Sequence, residues 1–277
     1  MTGVPIRWRW AANISCLFSE GPAADRPAAA AAAGFEAIES WWPFGSTPEP
    51  SSAAIDAFVG SVQQAGIRLV AMNLFGGSPG LRGILAQSEC TPDFRASLAA
   101  TTAVAQRLGV MLANAPIGDV PVDAEPSRYW DTAVDNLACA AGRLADVGVC
   151  VMVEPLSPKG QNGSVPLIRT MTEALDIAQQ ARERGGCTNI GILLDFYHMT
   201  VNADDPIAAV LGHPADIRHV QVADIPGRDV PGTGTANIDA FLNTLQSIDY
   251  DGFVALECFP RKSTQHSLAA WRPRKYP

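Results

Sequence analysis

Short apolar runs alternate along the chain with longer Ala- and Leu-rich segments of helical period, and Gly, Pro or Asn residues join them. We count eight such cycles. The predicted strands are WRWAANI (8–14), FEAIES (35–40), RLVAMNLF (68–75), VMLANA (110–115), VCVMVEP (149–155), IGILLD (190–195), IRHVQVA (217–223) and GFVALEC (252–258). The predicted helices cover residues 24–33, 51–65, 92–108, 127–146, 170–184, 205–211, 238–247 and 264–271.

The strand candidates show no strict alternation, which is typical of strands buried on both faces, and the helix between successive strands makes their sheet parallel. Eight such units most simply close into a (β/α)8 barrel, and barrels of about 250 residues form one domain. We therefore predict a single TIM barrel domain over residues 1–277. The competing arrangement is a doubly wound open sheet, but its G-x-G-x-x-G fingerprint is absent after the first strand.

The composition narrows the class of protein. With 47% hydrophobic and 17% charged residues, the chain is not of the disordered type. A formal net charge of −8 and the lack of any Lys/Arg-rich block argue against a nucleic acid partner.

The N-terminal stretch after Arg9 is interrupted by Asn13 and Ser15 and makes a poor signal peptide, and no run approaches the roughly 18 apolar residues of a membrane span. The six cysteines are scattered without a C-x-x-C pair, as reduced thiols are, so we expect a cytoplasmic protein that contacts no membrane.

Polar side chains end four consecutive predicted strands. The carboxyl ends of barrel strands form the active site in this architecture. Strands five to eight carry Glu154, Asp195, Gln221 and Glu257 there, and strand two adds Glu39 as a candidate for substrate binding. Three carboxylates at one mouth would repel each other unless a cation lay among them. An all-oxygen set that includes a glutamine amide suits Mg²⁺ or Mn²⁺ better than Zn²⁺.

An acidic residue at a strand end is more often a helix cap or a loop charge than a metal ligand. Capping explains this series poorly, because Pro155 follows Glu154 and Phe196 follows Asp195. We therefore favour a divalent metal site.

Further candidates lie close to these residues in sequence. His198, three residues after Asp195, either fills a core position or donates a hydrogen bond to a substrate oxygen. Arg228, in the Gly- and Pro-rich loop DIPGRDVPGTG, is either an exposed loop residue or a fork for a substrate carboxylate or hydroxyls. Lys159 is a weaker candidate of the same kind, and His219 is interpreted as structural.

A series of motifs runs nearly from end to end: RWAANISCLFSE, AAGFEAIES, MNLFGG, GLRGI, VEPLSP, LLDFYH, HVQVADIPGR, PGTG and YDGFVALECFP. In this order they resemble the hydroxypyruvate isomerase-like family, within the xylose isomerase-like TIM barrels. The positions that match the divalent metal ligands of that family are Glu154, Asp195, Gln221 and Glu257. Glu154 and Glu257 also match its two acid/base carboxylates. His198 and Arg228 match positions that hold substrate oxygens.

The resemblance implies isomerisation of a short hydroxy-carbonyl acid, such as hydroxypyruvate to tartronate semialdehyde or a related oxo-tetronate, by way of a metal-stabilised enediolate. Gln221 stands where many related epimerases have His, which favours this subgroup. Two departures leave the substrate open. The chain has Ser157-Pro158-Lys159 where the family tends to have Asn-Pro-Arg, and Cys258-Phe259 where it often has a Tyr.

Three other functions remain as alternatives. A sugar or sugar-acid epimerase or dehydratase would use the same ligands with a roomier pocket. A metal-dependent DNA repair nuclease shares the barrel class, but it needs more metal-binding His residues and a basic surface, and four His residues with a net charge of −8 speak against it. A non-catalytic barrel would bind a sugar acid without proton exchange. The sequence is compatible with a homo-oligomer, and it does not decide whether Trp41 and Trp42 line a pocket or an interface.

Overall fold

Eight parallel strands close into a barrel in the computed structural model, which describes residues 8–158 and 163–271. The strands are β1 (Trp10–Asn13), β2 (Ala37–Ser40), β3 (Arg68–Asn73), β4 (Leu112–Asn114), β5 (Asp119–Pro121), β6 (Cys150–Val153), β7 (Ser164–Pro166), β8 (Ile190–Asp195), β9 (Ile217–Val222) and β10 (Val254–Leu256). All except β5 and β7 belong to the barrel, in which neighbours follow chain order and β10 pairs with β1. The eight predicted strands and the (β/α)8 class are confirmed.

Helices surround the barrel and follow its strands. They are α1 (Arg26–Ala32), α2 (Ser52–Gln64), α3 (Thr91–Leu108), α4 (Pro126–Ala145), α5 (Met171–Gly185), α6 (Phe196–Val201), α7 (Pro206–Gly212), α8 (Ile238–Ser247) and α9 (Thr264–Trp271). Every predicted helix has a counterpart within two residues at each end. The short helix α6 was not predicted.

Local side-chain chemistry explains several helix ends. The Ser51 hydroxyl accepts a hydrogen bond from the Ala54 N–H at 3.3 Å at the start of α2. Thr170 and Glu173 form a reciprocal capping box at the start of α5. Gly109 ends α3 in the left-handed region, with a φ of 67°. Each amino-end cap contributes about 1 kcal/mol of stability, so these signals fix the helix boundaries.

The main core lies between the barrel and the helices. Its largest fully buried side chains include Phe94 of α3 and Phe241 of α8. Burying side chains of this size stabilises the fold by roughly 1.5–3 kcal/mol each. A single apolar cluster extends from Ala12 in β1 to Trp271 in α9, so one packed unit spans the described ranges. The predicted domain boundaries at residues 1 and 277 lie outside those ranges.

Two additional elements sit at the carboxyl ends of the strands. The antiparallel pair β5–β7 joins the segments that follow β4 and β6, with Val120 opposite Val165. Helix α6 begins directly after Asp195, whose Oδ1 accepts the Tyr197 N–H at 2.8 Å. Asp195 is therefore a helix cap through one carboxylate oxygen, so the expectation that capping does not explain this residue is wrong. Its other oxygen remains for the site.

In the part of the chain that the structure describes, no helix is both long and apolar enough to cross a bilayer. All six cysteines are free, and Cys16 and Cys258 are buried. The thiols agree with the expectation of reduced cysteines, whereas a cytoplasmic location stays a prediction.

Candidate active site

The carboxyl ends of β6, β8, β9 and β10 bring the four predicted ligand residues together. Asp195 is the last residue of β8 and pairs in register with Gln221 of β9. Glu154 directly follows β6, and Glu257 directly follows β10. Because these strands are parallel neighbours, their ends meet at one mouth of the barrel.

A cavity of about 690 Å³ opens at this mouth. Its charged part is formed by Arg82, Glu154, His198, Arg228 and Glu257, of which Arg82 is paired with Asp119. The apolar part of the wall includes Trp41, Trp42, Leu81, Ile117, Leu156 and Phe259. Both tryptophans therefore line the cavity. The Trp42 ring packs against Phe75, and its indole N–H donates to the Thr47 carbonyl at 3.2 Å, which fixes its orientation.

Arg228 lies between two of the carboxylates. Its Nη2 donates to Asp195 Oδ2 at 2.9 Å and to Glu257 Oε1 at 2.7 Å. The guanidinium also lies 5.0 Å from the ring centre of Tyr197 and 5.5 Å from that of Phe259. Burial disfavours its charge, but Glu257 and Asp195 outweigh this cost and raise the pKa of Arg228. The side chain is only 16% exposed, so it is not a solvated loop residue.

The clustered carboxylates have raised pKa values. Burial and then the charges of Glu257 and Asp195 hold the pKa of Glu154 well above its usual range. Burial also raises the pKa of Asp195, against the Arg228 charge. For Glu257, burial is the largest cause, Arg228 opposes it, and Glu39 and Asp195 add to it, so the pKa reaches about 7. A single guanidinium thus leaves the negative charge of the mouth incompletely balanced.

Glu39 lies beneath the cavity and is absent from its described wall. It is 2% exposed, and its Oε2 is 2.6 Å from His219 Nε2. Its Oε1 accepts hydrogen bonds from Gln221 Nε2 at 2.7 Å and from Asn13 Nδ2 at 2.9 Å. The pairing agrees with the structural interpretation of His219. The predicted contact of Glu39 with substrate remains untested, and its carboxylate is already occupied by protein donors.

His198 is buried against Ser157. The Ser157 N–H donates to His198 Nδ1 at 3.2 Å, and Ser157 Oγ lies 2.7 Å from the same nitrogen. An Nδ1 that accepts a backbone hydrogen bond leaves the ring proton on Nε2. That Nε2 lies 3.6 Å from Asp195 Oδ2 and 3.9 Å from Glu154 Oε1. The ring therefore presents a donor to the carboxylate cluster at the cavity.

The residues present fit a divalent cation. Glu154, Asp195 and His198 each offer one ligand atom, and these atoms lie within 4.8 Å of one another. Gln221 Oε1 is buried without a hydrogen-bond partner among the described residues. Such an unpaired buried oxygen costs about 1–3 kcal/mol, a penalty that a bound cation would remove. Glu257 does not belong to this triad, so the predicted set and the His198 triad share Glu154 and Asp195.

The loop 224–236, which carries Arg228, is organised by a residue that the sequence reading did not single out. The Asp224 carboxylate accepts four backbone hydrogen bonds of 2.7–3.0 Å. The donors are the N–H groups of Ile225, Gly232, Gly234 and Ala236. A Cβ on Gly234 would lie 1.9 Å from the Ile225 carbonyl oxygen, so only glycine fits. The signal in the sequence was an Asp immediately before a Gly- and Pro-rich stretch, which is typical of a side chain that organises a turn.

Two amides at strand ends were also missed. Asn13, at the end of β1, donates from Nδ2 to both Glu39 and Glu257, the latter at 3.0 Å. Asn114, at the end of β4, donates to Glu154 Oε2 at 2.7 Å. Both sit where strands end, which is the signal that identified the carboxylates. The remaining predicted site residue, Lys159, lies outside the described residues.

The chain is similar to several known proteins over nearly its whole length. A Streptomyces coelicolor protein, named as a hydroxypyruvate isomerase on a provisional basis, is 35% identical over 96% of this chain and 95% of its own length. The 2-oxo-tetronate isomerase of Cupriavidus necator is 30% identical over 96% of this chain and 98% of its own. A crystal structure described as an AP endonuclease, family 2, from Brucella melitensis superposes with a TM-score of 0.84 at 28% identity, covering 98% of this chain and all of that one.

The family model described as "Xylose isomerase-like TIM barrel" matches residues 27–274. With that match, the closed eight-stranded barrel and relatives of 30–35% identity over nearly the full chain, the protein belongs to the xylose isomerase-like TIM barrel family.

Proposed function

We propose that the chain is a metal-dependent isomerase of a short hydroxy-carbonyl acid, either hydroxypyruvate, converted to tartronate semialdehyde, or an oxo-tetronate. Relatives named hydroxypyruvate isomerase and 2-oxo-tetronate isomerase support the isomerase class. One observation carries the mechanism: Glu154 and Glu257, both with raised pKa values, line one cavity together with His198 and Arg228.

The proposed reaction moves one proton between adjacent carbons. In hydroxypyruvate, one of the two glutamates removes a proton from C3, and the electron pair forms the C2–C3 double bond of an enediolate. A glutamate then returns a proton to C2 while the hydroxyl hydrogen passes from O3 to O2, so the product has the same atoms as the substrate. Acid/base groups held in position contribute about 10²–10⁴ in rate.

The other charged residues of the cavity are suited to hold the substrate. His198 offers its Nε2–H to a substrate oxygen, because Ser157 occupies Nδ1. Arg228 uses Nη2 for Asp195 and Glu257, which leaves other N–H groups of the guanidinium to orient a substrate carboxylate. The apolar wall around Trp41 and Phe259 limits water at the reacting carbons.

The cation in this proposal is Mg²⁺ or Mn²⁺, and the residues that would hold it are Glu154, Asp195, Gln221 and Glu257. When bound, it supplies positive charge next to the oxygen that becomes negative as the proton leaves. A donor set made only of carboxylate and amide oxygens supports this choice over Zn²⁺. The nearby triad with His198 is the alternative ligand set, and it requires the ring proton on Nδ1, where Ser157 Oγ can accept it, in place of the Ser157 N–H contact.

The cavity volume favours a second candidate, a sugar or sugar-acid epimerase. A space of about 690 Å³ exceeds the needs of a three- or four-carbon acid and is within the range of pockets for larger ligands, roughly 300–1,000 Å³. The same glutamate pair would then remove and return a proton at a single carbon. Turnover of six-carbon ketoses, without turnover of short acids, would establish this alternative.

The proposed partner is a small hydroxy or oxo acid, and neither nucleic acid nor a membrane is part of the proposal. The proposed location is the cytoplasm, and a homo-oligomer is compatible with this function. A nuclease is disfavoured, although one similar structure carries an endonuclease description. A formal net charge of −8 opposes the approach of a phosphate backbone.

Proton exchange with solvent tests the proposal. The protein, loaded with Mg²⁺ or Mn²⁺, is incubated in D₂O with hydroxypyruvate, with oxo-tetronates and with six-carbon ketoses, and NMR follows deuterium next to the carbonyl. Glu257→Gln serves as the matched variant, since it keeps the size of the side chain and one acceptor oxygen but not the base. Exchange and isomerisation that require both the metal and Glu257 would support the mechanism. No exchange with any short acid, despite bound metal, would refute it.

A further inference from the structure

Gln221 raises a question of orientation that a carboxylate ligand does not. A side-chain amide has an oxygen that can bind a cation and a nitrogen that cannot, and the two ends have nearly the same shape. The protein must therefore hold this amide with its oxygen toward the metal site. The described contacts show how.

Two carboxylates hold the nitrogen end of the amide. Gln221 Nε2 donates to Glu39 Oε1 at 2.7 Å and to Glu257 Oε2 at 2.6 Å. A carboxylate only accepts hydrogen bonds, so the flipped amide would place its oxygen against two other oxygens. Both amide hydrogens are used in this arrangement, and Oε1 is left without a partner among the described residues.

Glu39 is itself fixed from the other side. His219 Nε2 lies 2.6 Å from Glu39 Oε2, and Asn13 Nδ2 donates to Glu39 Oε1 at 2.9 Å. Asn13 is fixed in turn, since its Oδ1 accepts the Ser15 N–H at 3.0 Å. Glu39, His219, Asn13 and Gln221 are each no more than 2% exposed. A group this enclosed acts on the site through Gln221 and not through substrate.

We infer that Glu39 is a positioning residue for the metal site, which holds the amide of Gln221 with its oxygen toward the cation. The inference rests on the proposed function, because it assumes that Gln221 is a ligand. Glu39 is better suited to this task than Glu257. The oxygens of Glu257 are proposed to bind the cation and one already accepts from Arg228, whereas Glu39 is an acceptor outside the ligand set. Partners of this kind typically change metal affinity about 10–100-fold.

A simpler role for Glu39 is to add negative charge near the cation. Two substitutions separate the roles. Glu39→Gln removes the charge but keeps an oxygen that accepts from Gln221, whereas Glu39→Met removes both at similar size. Positioning predicts a large loss of affinity for Met and a small one for Gln, and a charge effect predicts equal losses.

The test is Mn²⁺ binding to the full, EDTA-treated chain, followed by electron paramagnetic resonance without any activity measurement. We expect Glu39→Met to weaken binding about 10–100-fold, and to weaken it no further in a Gln221→Ala background, because Glu39 acts through that amide. The exposed Glu36→Gln is the matched control and should bind as the unaltered chain does. Equal losses for Glu39→Gln and Glu39→Met, or additive losses with Gln221→Ala, would overturn the inference.

A second measurement on the unaltered chain covers the case in which Glu39→Met does not fold. The two amide protons of Gln221 should exchange slowly with solvent in NMR spectra, and both should stay protected when Mg²⁺ binds. Loss of that protection on Mg²⁺ binding would show a different orientation and would overturn the inference. If the unaltered chain binds neither Mn²⁺ nor Mg²⁺, the proposed ligand set itself is wrong, and the inference falls with it.

Discussion

In the metal-free chain, the free energy of unfolding should fall as pH rises through the range in which Glu257 titrates. Burial, partly opposed by Arg228 and reinforced by Glu39 and Asp195, raises the pKa of Glu257 from 4.5 to about 7. Below the lower value, the carboxyl is protonated in the folded and unfolded chain alike, so it adds no pH dependence. Between the two values the unfolded chain releases this proton while the folded chain retains it. Stability then falls by about 1.4 kcal/mol per pH unit, which amounts to about 3 kcal/mol by pH 7 and above.

The measurement is urea unfolding of the EDTA-treated chain at pH 5 and at pH 8. Glu257→Gln cannot titrate, so it should gain about 2.5 kcal/mol relative to the unaltered chain between these two pH values. Glu36→Gln, at an exposed position, is the control and should show no such gain. Saturating Mg²⁺ should remove most of the pH dependence, because the cation stabilises the ionised carboxylates. If the difference between Glu257→Gln and the unaltered chain is the same at both pH values, Arg228 alone balances this carboxylate and the reasoning is refuted.

Three further changes test the site. Arg228→Ala should destabilise the metal-free chain by about 3–5 kcal/mol, since it leaves two buried carboxylates without the guanidinium that pairs with them. Urea unfolding should show this loss, and added Mn²⁺ should restore part of it. An unchanged unfolding midpoint would contradict the pairing. Gly234→Ala should lower the free energy of unfolding by about 1–3 kcal/mol and lower kcat/KM for the acid substrate, because the new Cβ displaces the Ile225 carbonyl in the loop that carries Arg228. Unchanged kinetics would show that the loop adapts. Gln221→Ala should weaken Mn²⁺ binding in a calorimetric titration more than His198→Ala does, and the reverse order would make the histidine the ligand.

The barrel was predictable because its strands are buried on both faces. Runs such as IGILLD carry an apolar side chain at nearly every position, and a helical segment with a clear boundary separates each run from the next. Helix α6 was not predicted because its six residues are too few to show a helical period. The helix depends on the contact between Asp195 Oδ1 and the Tyr197 N–H, which apolar periodicity does not reveal.

The carboxylates of the site were predictable for a geometric reason, since parallel strands place their ends together whatever their separation along the chain. Their partners were not. Asn13 and Glu257 are 244 residues apart, and an ordinary asparagine at a strand end gives no sign of which acceptor it will reach. Asp224 and Ser157 lie in loops, where the direction of a side chain depends on turns that the sequence specifies only weakly. Sequence reasoning thus identified the charged groups and left open the hydrogen bonds that orient them.

Under the proposed function, the bridge that Arg228 makes between Asp195 and Glu257 has a consequence for metal uptake. A metal ion that enters the mouth competes with the Arg228 guanidinium for the same two carboxylates. The net affinity for the metal ion is therefore the difference between two sets of ionic contacts. Under that function, the guanidinium already offsets part of the acidic charge in the metal-free chain, so this chain would be folded but inactive. The active fraction would then follow the concentration of the free divalent ion.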